Sequence, residues 1–420
     1  MVPALLRAVW TSFWLVPAGF TVVAIGVGLT LVEVDQRWVE SPGWLYPGGS
    51  DGARALLSAV TSSMISFTGL VFSITVVALQ LTSSQFSPRV LRRFLEDRVT
   101  QVALGVFVAT FVYAMTVLRS VRGESVALPF VPRLSTTVAF LFVLGSIVMF
   151  IVYIDHIANS LRAANVIATI GDQTRALLER QFPAGTPEVS PDAAHRSGQA
   201  QAGGGEASAP PARHVVASRP GVVTSVDVRH LVGLAARHDV VLGLLPRLGG
   251  FLPEGAPLVM VSGARSGEVD DARVRRGVAF GIEPTMRQDV GYGFRQLVDI
   301  AERALSPSTN DVTTAVQALD QLHDLVRRLA TRPFPAAVHR GPDGQVRLVL
   351  PAPRLGDFVG LALDEITYWG KDSPRVQHHV LALLEDLHAV AAAEHRETVR
   401  RALEHHRAGR RPGDRAGVGA

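Results

Sequence analysis

The chain contains no cysteine, which excludes disulfide bonds, thiolate zinc sites, iron–sulfur clusters and cysteine nucleophiles together. Lysine is almost as scarce: Lys371 is the only one, so nearly all the positive charge is carried by arginine. Charged residues are 19% of the 420 residues against 48% hydrophobic ones, a balance too apolar for an ordinary soluble protein and incompatible with a largely disordered one. The sequence also lacks a phosphate-binding loop, a dinucleotide fingerprint and a paired-histidine zinc motif. No cofactor is expected, and an enzyme is the least supported class.

What is present is strongly segregated. Four long apolar runs lie within residues 1–160: about 9–31, 56–81, 102–118 and 134–154. The first, at about 1.5 Å per helical residue, reaches roughly 34 Å, enough for a hydrocarbon core of about 30 Å. Glu33, Asp35 and Arg37 follow it where a signal peptide would carry a small-residue cleavage site, so an uncleaved helix is expected. Trp10, Trp14 and Trp38 lie near its ends, as interfacial tryptophans do. Arg89, Arg92, Arg93 and Arg98 after the second run, and Arg162, Arg175 and Arg180 after the fourth, outweigh Arg37 and Arg54 of the first loop. Arg119, Arg122 and Arg133 of the third loop weaken that contrast. The expected arrangement is multi-pass with both termini cytoplasmic.

The second run carries a stripe of small and polar residues: Ser62, Ser66, Gly69 and Ser73 at i, i+4, i+7 and i+11, continued by Gln80 and Ser84. Two readings stay open, close helix packing through small residues and lining of an aqueous path shared by several copies. At the inner end of the fourth run, Asp155, His156 and Asn159 gather with Tyr153 and Asn165. An interfacial polar cluster is the plain reading and a proton or metal site the sharper one.

Beyond residue 160 the pattern is that of an α+β region. An amphipathic helix is expected over 161–181, then a Pro, Ala, Gly and Ser rich linker over 182–213. Residues 215–265 read as short strands punctuated by glycine turns, similar to small barrel-sandwich modules of the lipoyl-carrier kind, but without the lysine that attachment needs. Residues 278–395 read as mainly helical, with a strand pair around Pro342 to Gly344 and a helix break near Trp369 to Pro374. The segment 306–311 separates two amphipathic helices and offers capping side chains to the second. An exposed helix amino terminus there could take an anion, with Arg287, Arg295 and Arg303 in support. Asp289, Asp299 and Asp311 are candidates to approach a cation, on weak spacing. Residues 396–420 form a basic tail, seven arginines against three acidic residues, suited to an anionic bilayer face; no aromatic-interleaved pattern suggests nucleic acid. Gly48 to Gly52 has the spacing of a hydrolase nucleophile elbow, but in a loop between two apolar runs rather than after a strand. The adjacent pairs His378 with His379 and His405 with His406 point to different helix faces and make poor ligand pairs.

The stretches LQLTSSQFSPRVLRRFLEDRVTQVALGVFVATFVYA (Leu79 to Ala114), RQDVGYGFRQLVDIAERALSPSTNDVTTAVQALDQL (Arg287 to Leu322) and YWGKDSPRVQHHVLALLEDL (Tyr368 to Leu387) resemble the bacterial predicted membrane proteins grouped as domain of unknown function 2254. The residues carrying the resemblance include Gln85, Ser87, Pro88, Arg89, Asp289, Asp299, Ser306, Pro307, Asn310 and Asp311. Thr309 stands where that pattern usually shows an apolar or small residue, and Val312 where it shows proline. The resemblance implies an integral membrane protein with a cytosolic domain and implies no particular activity. The expected fold is thus four transmembrane helices followed by a cytosolic α+β region containing a small β-barrel-like module and a helical domain. Two functions are carried forward. One is a homo-oligomeric channel-like or transport-related protein with a cytosolic regulatory domain; the other is a membrane-anchored sensor or scaffold for a cytosolic protein or small, anionic ligand.

Overall fold

The computed structural model describes residues 14–37, 45–85, 97–123, 130–160, 162–184 and 212–409. The chain divides into two compact units, Met1–Asn165 and Val166–Ala420.

Four helices dominate the first unit: α1 (Leu15–Arg37), α2 (Ser50–Gln85), α3 (Arg98–Leu118) and α4 (Arg133–Ser160). Each is long and apolar enough to cross a membrane. They match the four apolar runs, with residues 9–13 of the first lying outside the described residues. The third is the most enclosed; Phe107, Tyr113, Ala114 and Val117 are fully buried. Small residues let α1 approach it, since a Cβ on Gly105 would stand 2.9 Å from the Phe20 ring and one on Gly28 3.1 Å from the Thr116 methyl. Aromatic edges fill the rest of the seam, with Phe67 against Phe107 and Phe150, and Tyr113 against Phe142.

The second unit begins with α5, Ala163–Gln181, nearly all of which belongs to it. Most of the expected linker, residues 185–211, lies outside the described residues. Then follow β1 (Ala212–Val216), β2 (Gly221–Val226), α6 (Val228–His238), β3 (Val241–Leu244), β4 (Phe251–Leu252), β5 (Pro257–Ser262), α7 (Asp271–Arg276) and β6 (Val278–Gly281). Next come α8 (Val290–Leu305), α9 (Val312–Ala330), β7 (Val338–Arg340), β8 (Val346–Val349), α10 (Leu355–Trp369), α11 (Pro374–Val390) and α12 (Arg396–Gly409).

The strands form two sheets, one ordered β1-β5-β3-β8-β7 and one ordered β4-β2-β6, and no closed barrel occurs among the described residues. The expected β module is also not self-contained. Strand β3 pairs in parallel with β8, Leu242 opposite Leu348, so a strand about a hundred residues downstream completes the sheet. Val223, Val226, Leu242, Leu258, Val259, Val261 and Leu348 share one core, closed by Leu231 and Leu234 of α6. A second core forms where α8 and α9 face α10 and α11, with Phe182, Phe294, Phe334 and Phe358 in a chain of ring contacts.

Helix ends are set by aspartates and serine at the capping position: Asp227, Asp270, Asp289, Asp311 and Ser373 each accept a backbone N–H from the first turn that follows. Proline at the first position of α11 fits there because that N–H needs no partner. The segment read from sequence as a basic tail is helical over Arg396–Gly409. Val399 and Leu403, one turn apart, are buried, while Arg400 and Arg401 pair with Glu397 and Arg400 also with Glu404. Residues 410–420 lie outside the described residues.

Candidate functional site

The two faces of α2 differ in kind. Leu57, Met64, Val71 and Ala78 recur every seven residues and are buried against the other apolar helices. Hydroxyls on this side are satisfied: Thr61, Thr68 and Thr75 donate to the carbonyls of Leu57, Met64 and Val71 at 2.7–2.8 Å. Thr75 also meets the Tyr153 hydroxyl at 2.6 Å, and that hydroxyl lies 3.2 Å from the Val71 carbonyl. The stripe lies elsewhere. Ser62, Ser66, Gly69, Ser73 and Gln80 are all exposed on the surface of the single chain. A Cβ on Gly69 would meet nothing within 4 Å, and Ser66 Oγ donates to Ser62 O at 3.2 Å. Among the described residues, therefore, the stripe does not pack against the other helices. Ser84 and Gln85 fall in the last turn of α2 with side chains outside the described residues, as do Ser87, Pro88 and Arg89 entirely.

At the end of α4, Asp155 and Asn159 share a face, Asn159 Nδ2 donating to Asp155 Oδ2 at 3.2 Å, and Asn165 Nδ2 donates to Asn159 O at 2.8 Å. His156 turns away from them. Its Nε2 lies 3.0 Å from Asp97 Oδ2 and 3.3 Å from Ser160 Oγ. Asp97 in turn caps α3, accepting Thr100 N at 3.0 Å and Thr100 Oγ1 at 2.6 Å. Sequence reading missed this partner, although the Asp-x-x-Thr spacing of a cap was there to be seen. It also missed Asp35, whose two carboxylate oxygens accept Leu134 N and Ser135 N at 2.9 Å and Ser135 Oγ at 2.7 Å, capping α4 from another helix.

In the second unit the motif residues take separate posts. Asp289 caps α8, with Oδ1 3.2 Å from Tyr292 N. Asp299 pairs with Arg295 at 3.0 Å, and the same arginine grips Glu365 through two bonds of 2.9 and 2.6 Å. Asp311 caps α9, accepting Thr314 N at 3.0 Å and Thr314 Oγ1 at 2.5 Å, bonds that hold its carboxyl below the usual range. That cap occupies the amino terminus considered for an anion, and Arg295 is engaged elsewhere. Asn310 sits at a φ of +47°, the left-handed turn that lets the chain reverse before α9. Ser306 ends α8, its hydroxyl 2.7 Å from Arg303 O, and Pro307 is exposed in the loop. Among the described residues no group of three or more His, Asp or Glu side chains is placed to hold a metal ion. Ser50 of the elbow-like spacing is the first residue of α2, and residues 46–49 before it form no strand.

Two stretches noted in the sequence meet in space. The Ser306–Asp311 loop and the Gly370–Ser373 loop lie at one end of the α8–α11 cluster, where the flanking helices are joined by Trp369 Nε1 to Glu302 Oε1 at 2.8 Å and Arg375 Nη1 to Thr313 Oγ1 at 3.2 Å. Tyr368 and Trp369 are 64% and 43% exposed there, and Lys371 Nζ stands 5.7 Å from the centroid of the Tyr368 ring.

Four apolar helices joined in one chain to a mixed helical and sheet unit define a protein of the predicted-membrane class. The chain belongs to the family described as predicted membrane protein, domain of unknown function 2254, whose model matches residues 10–386. It is 30% identical over 397 residues to an uncharacterised protein of Mycobacterium bovis and to one of Mycobacterium tuberculosis, covering 92% of this chain and 73% of each relative. No solved structure matches the chain.

Proposed function

We propose that this is a homo-oligomeric, channel-like or transport-related membrane protein in which α2 of several copies lines a shared polar path and the second unit regulates it. The observation that carries the reading is the exposure of Ser62, Ser66, Gly69, Ser73 and Gln80 on one chain, while the opposite face of the same helix packs at heptad spacing. In a bilayer, a polar face left by its own chain's packing is covered best by other copies or by water. Four helices are few for alternating access within one chain, so conduction needs several copies. The bilayer and further copies of the chain are the partners this reading requires, and it assigns no catalytic role. The inner-membrane placement with both termini cytoplasmic belongs to the same proposal and is supported by the arginines at 162, 175 and 180 after α4.

The test is salt-gradient-driven flux in liposomes containing the purified protein. Flux in the wild type that is lost in Ser66→Leu, Ser73→Leu, with assembly size unchanged, is the expected result. Flux unchanged in that variant refutes the lining role. A second reading, a membrane-anchored sensor or scaffold, is favoured by the exposed Tyr368 and Trp369 beside the Ser306–Asp311 loop. It predicts no flux from folded protein and a cytosolic partner whose capture is lost in Tyr368→Ala, Trp369→Ala.

A further inference from the structure

Three parts of the second unit meet at residues 288 and 289. The Gln288 side chain imitates a strand partner, its Oε1 accepting Val226 N at 2.8 Å and its Nε2 donating to Val226 O at 3.2 Å. Its backbone carbonyl accepts Gln181 Nε2, at the end of α5, at 2.6 Å. Asp289 then caps α8 with one oxygen, while the other is laid against Gly249 so closely that a Cβ there would overlap it. Gly249 needs the absence of a side chain twice over, for that close approach and for its φ of +77°, while its N–H donates to Val223 O at 2.9 Å. A single carboxylate is thus pressed between the sheet and the helical cluster at the point where α5 is tied down.

We infer that Asp289 makes this joint proton-sensitive: protonated it seals sheet, α5 and α8 together, and charged it lets them part. The inference concerns the second unit alone and stands whether or not the protein conducts. Three charged groups on the surrounding elements are engaged elsewhere. Arg247, on the loop carrying Gly249, pairs with Asp357 of α10 at 3.5 Å. Asp227 after β2 accepts His230 N at 2.9 Å, Arg180 of α5 donates to Ala176 O at 3.2 Å, and Arg287 on the same segment is exposed. Among the described residues no ion pair reaches Asp289. Burial therefore outweighs the two backbone N–H groups of Tyr292 and Gly291 and pushes the carboxyl up to about 6.

A carboxyl held above its aqueous value favours the closed joint while protonated. That stabilisation is complete below about pH 4 and is lost as pH rises through about 6. With those two values, linkage makes opening about tenfold easier at pH 8 than at pH 5. The experiment is amide hydrogen exchange on the full chain in detergent between pH 5 and 8, corrected for intrinsic exchange, read at Val226, Gly249 and Tyr292. Protection in the wild type should fall about tenfold over that range, and by less than about twofold in Asp289→Asn. Amides inside α9, from Leu319 to Val326, should show no such trend. A flat wild-type profile overturns the inference. So does an equal slope in the variant, or a loss of protection spread evenly through α9.

Discussion

Asp35 offers the sharpest test of how the apolar helices are held together. Replacing it by alanine removes the acceptor of three bonds to the start of α4, two from backbone N–H groups at 2.9 Å and one from the Ser135 hydroxyl at 2.7 Å. Ser135 is fully buried, so its groups cannot turn to water instead. A bond to a charged acceptor contributes about 1.5–3 kcal/mol net, and an orphaned buried donor costs about 1–3 kcal/mol. The three bonds share one half-buried carboxylate and do not add, so Asp35→Ala should cost about 2–4 kcal/mol. Asp35→Asn keeps one acceptor oxygen and should cost about half as much. Two residues earlier, Glu33 makes only an exposed pair with Arg37, and Glu33→Ala should cost less than about 0.5 kcal/mol. Reversible unfolding in mixed micelles, followed by far-ultraviolet circular dichroism, measures all three. If Asp35→Ala lies within 0.5 kcal/mol of wild type, the carboxylate is not what fixes α4.

Gly293 of α8 faces Thr174 of α5, and a Cβ there would overlap Thr174 Oγ1 and stand 2.7 Å from its methyl. Gly293→Ala should therefore destabilise the second unit by about 1–3 kcal/mol in denaturant unfolding, with part recovered in Gly293→Ala, Thr174→Ala; full stability in the single variant refutes the close approach. Gly69 separates the two meanings of the α2 stripe. Gly69→Leu should leave assembly size intact while reducing flux if the stripe lines a path, whereas loss of the oligomer by light scattering would make the stripe a packing seam.

Local signals carried the sequence reading a long way. The four apolar runs appear as four helices, and the capping role of the 306–311 segment was visible because Asp311 and Thr314 stand three residues apart. Long-range pairing was not visible. Nothing near Leu242 announces that Leu348 will lie beside it in parallel, so the strands read as a barrel-like module instead join two open sheets. Asp35 was read only as a charge after an apolar run, because its partners lie about a hundred residues on. The helix Arg396–Gly409 was hidden by its own charge: Val399 and Leu403 are a thin apolar seam among arginines, and the ion pairs that neutralise them are apparent only in three dimensions. For the stripe on α2, periodicity gave the residues that share a face but could not say which way the face turns.

The direction it turns follows from how the other helices are used. Helix α4 is fastened at both ends, by Asp35 at its start and through His156 to Asp97 at its finish, and Thr110 on α3 meets Ser146 at its middle at 2.9 Å. Each of those polar side chains is turned inward and partnered within the chain. On α2 the threonines at 61, 68 and 75 behave likewise, returning their hydroxyls to their own backbone on the packed side. Ser66 does the same on the exposed side, so a lone serine there carries little penalty in lipid. What lipid does not explain is the alignment of Ser62, Gly69, Ser73 and Gln80 with it, and the absence of side-chain bulk at Gly69. Exposed apolar side chains such as Val22 and Val23 of α1 and Phe140 and Leu141 of α4 suit lipid without further partners, so the aligned small and polar face of α2 is what sets this helix apart.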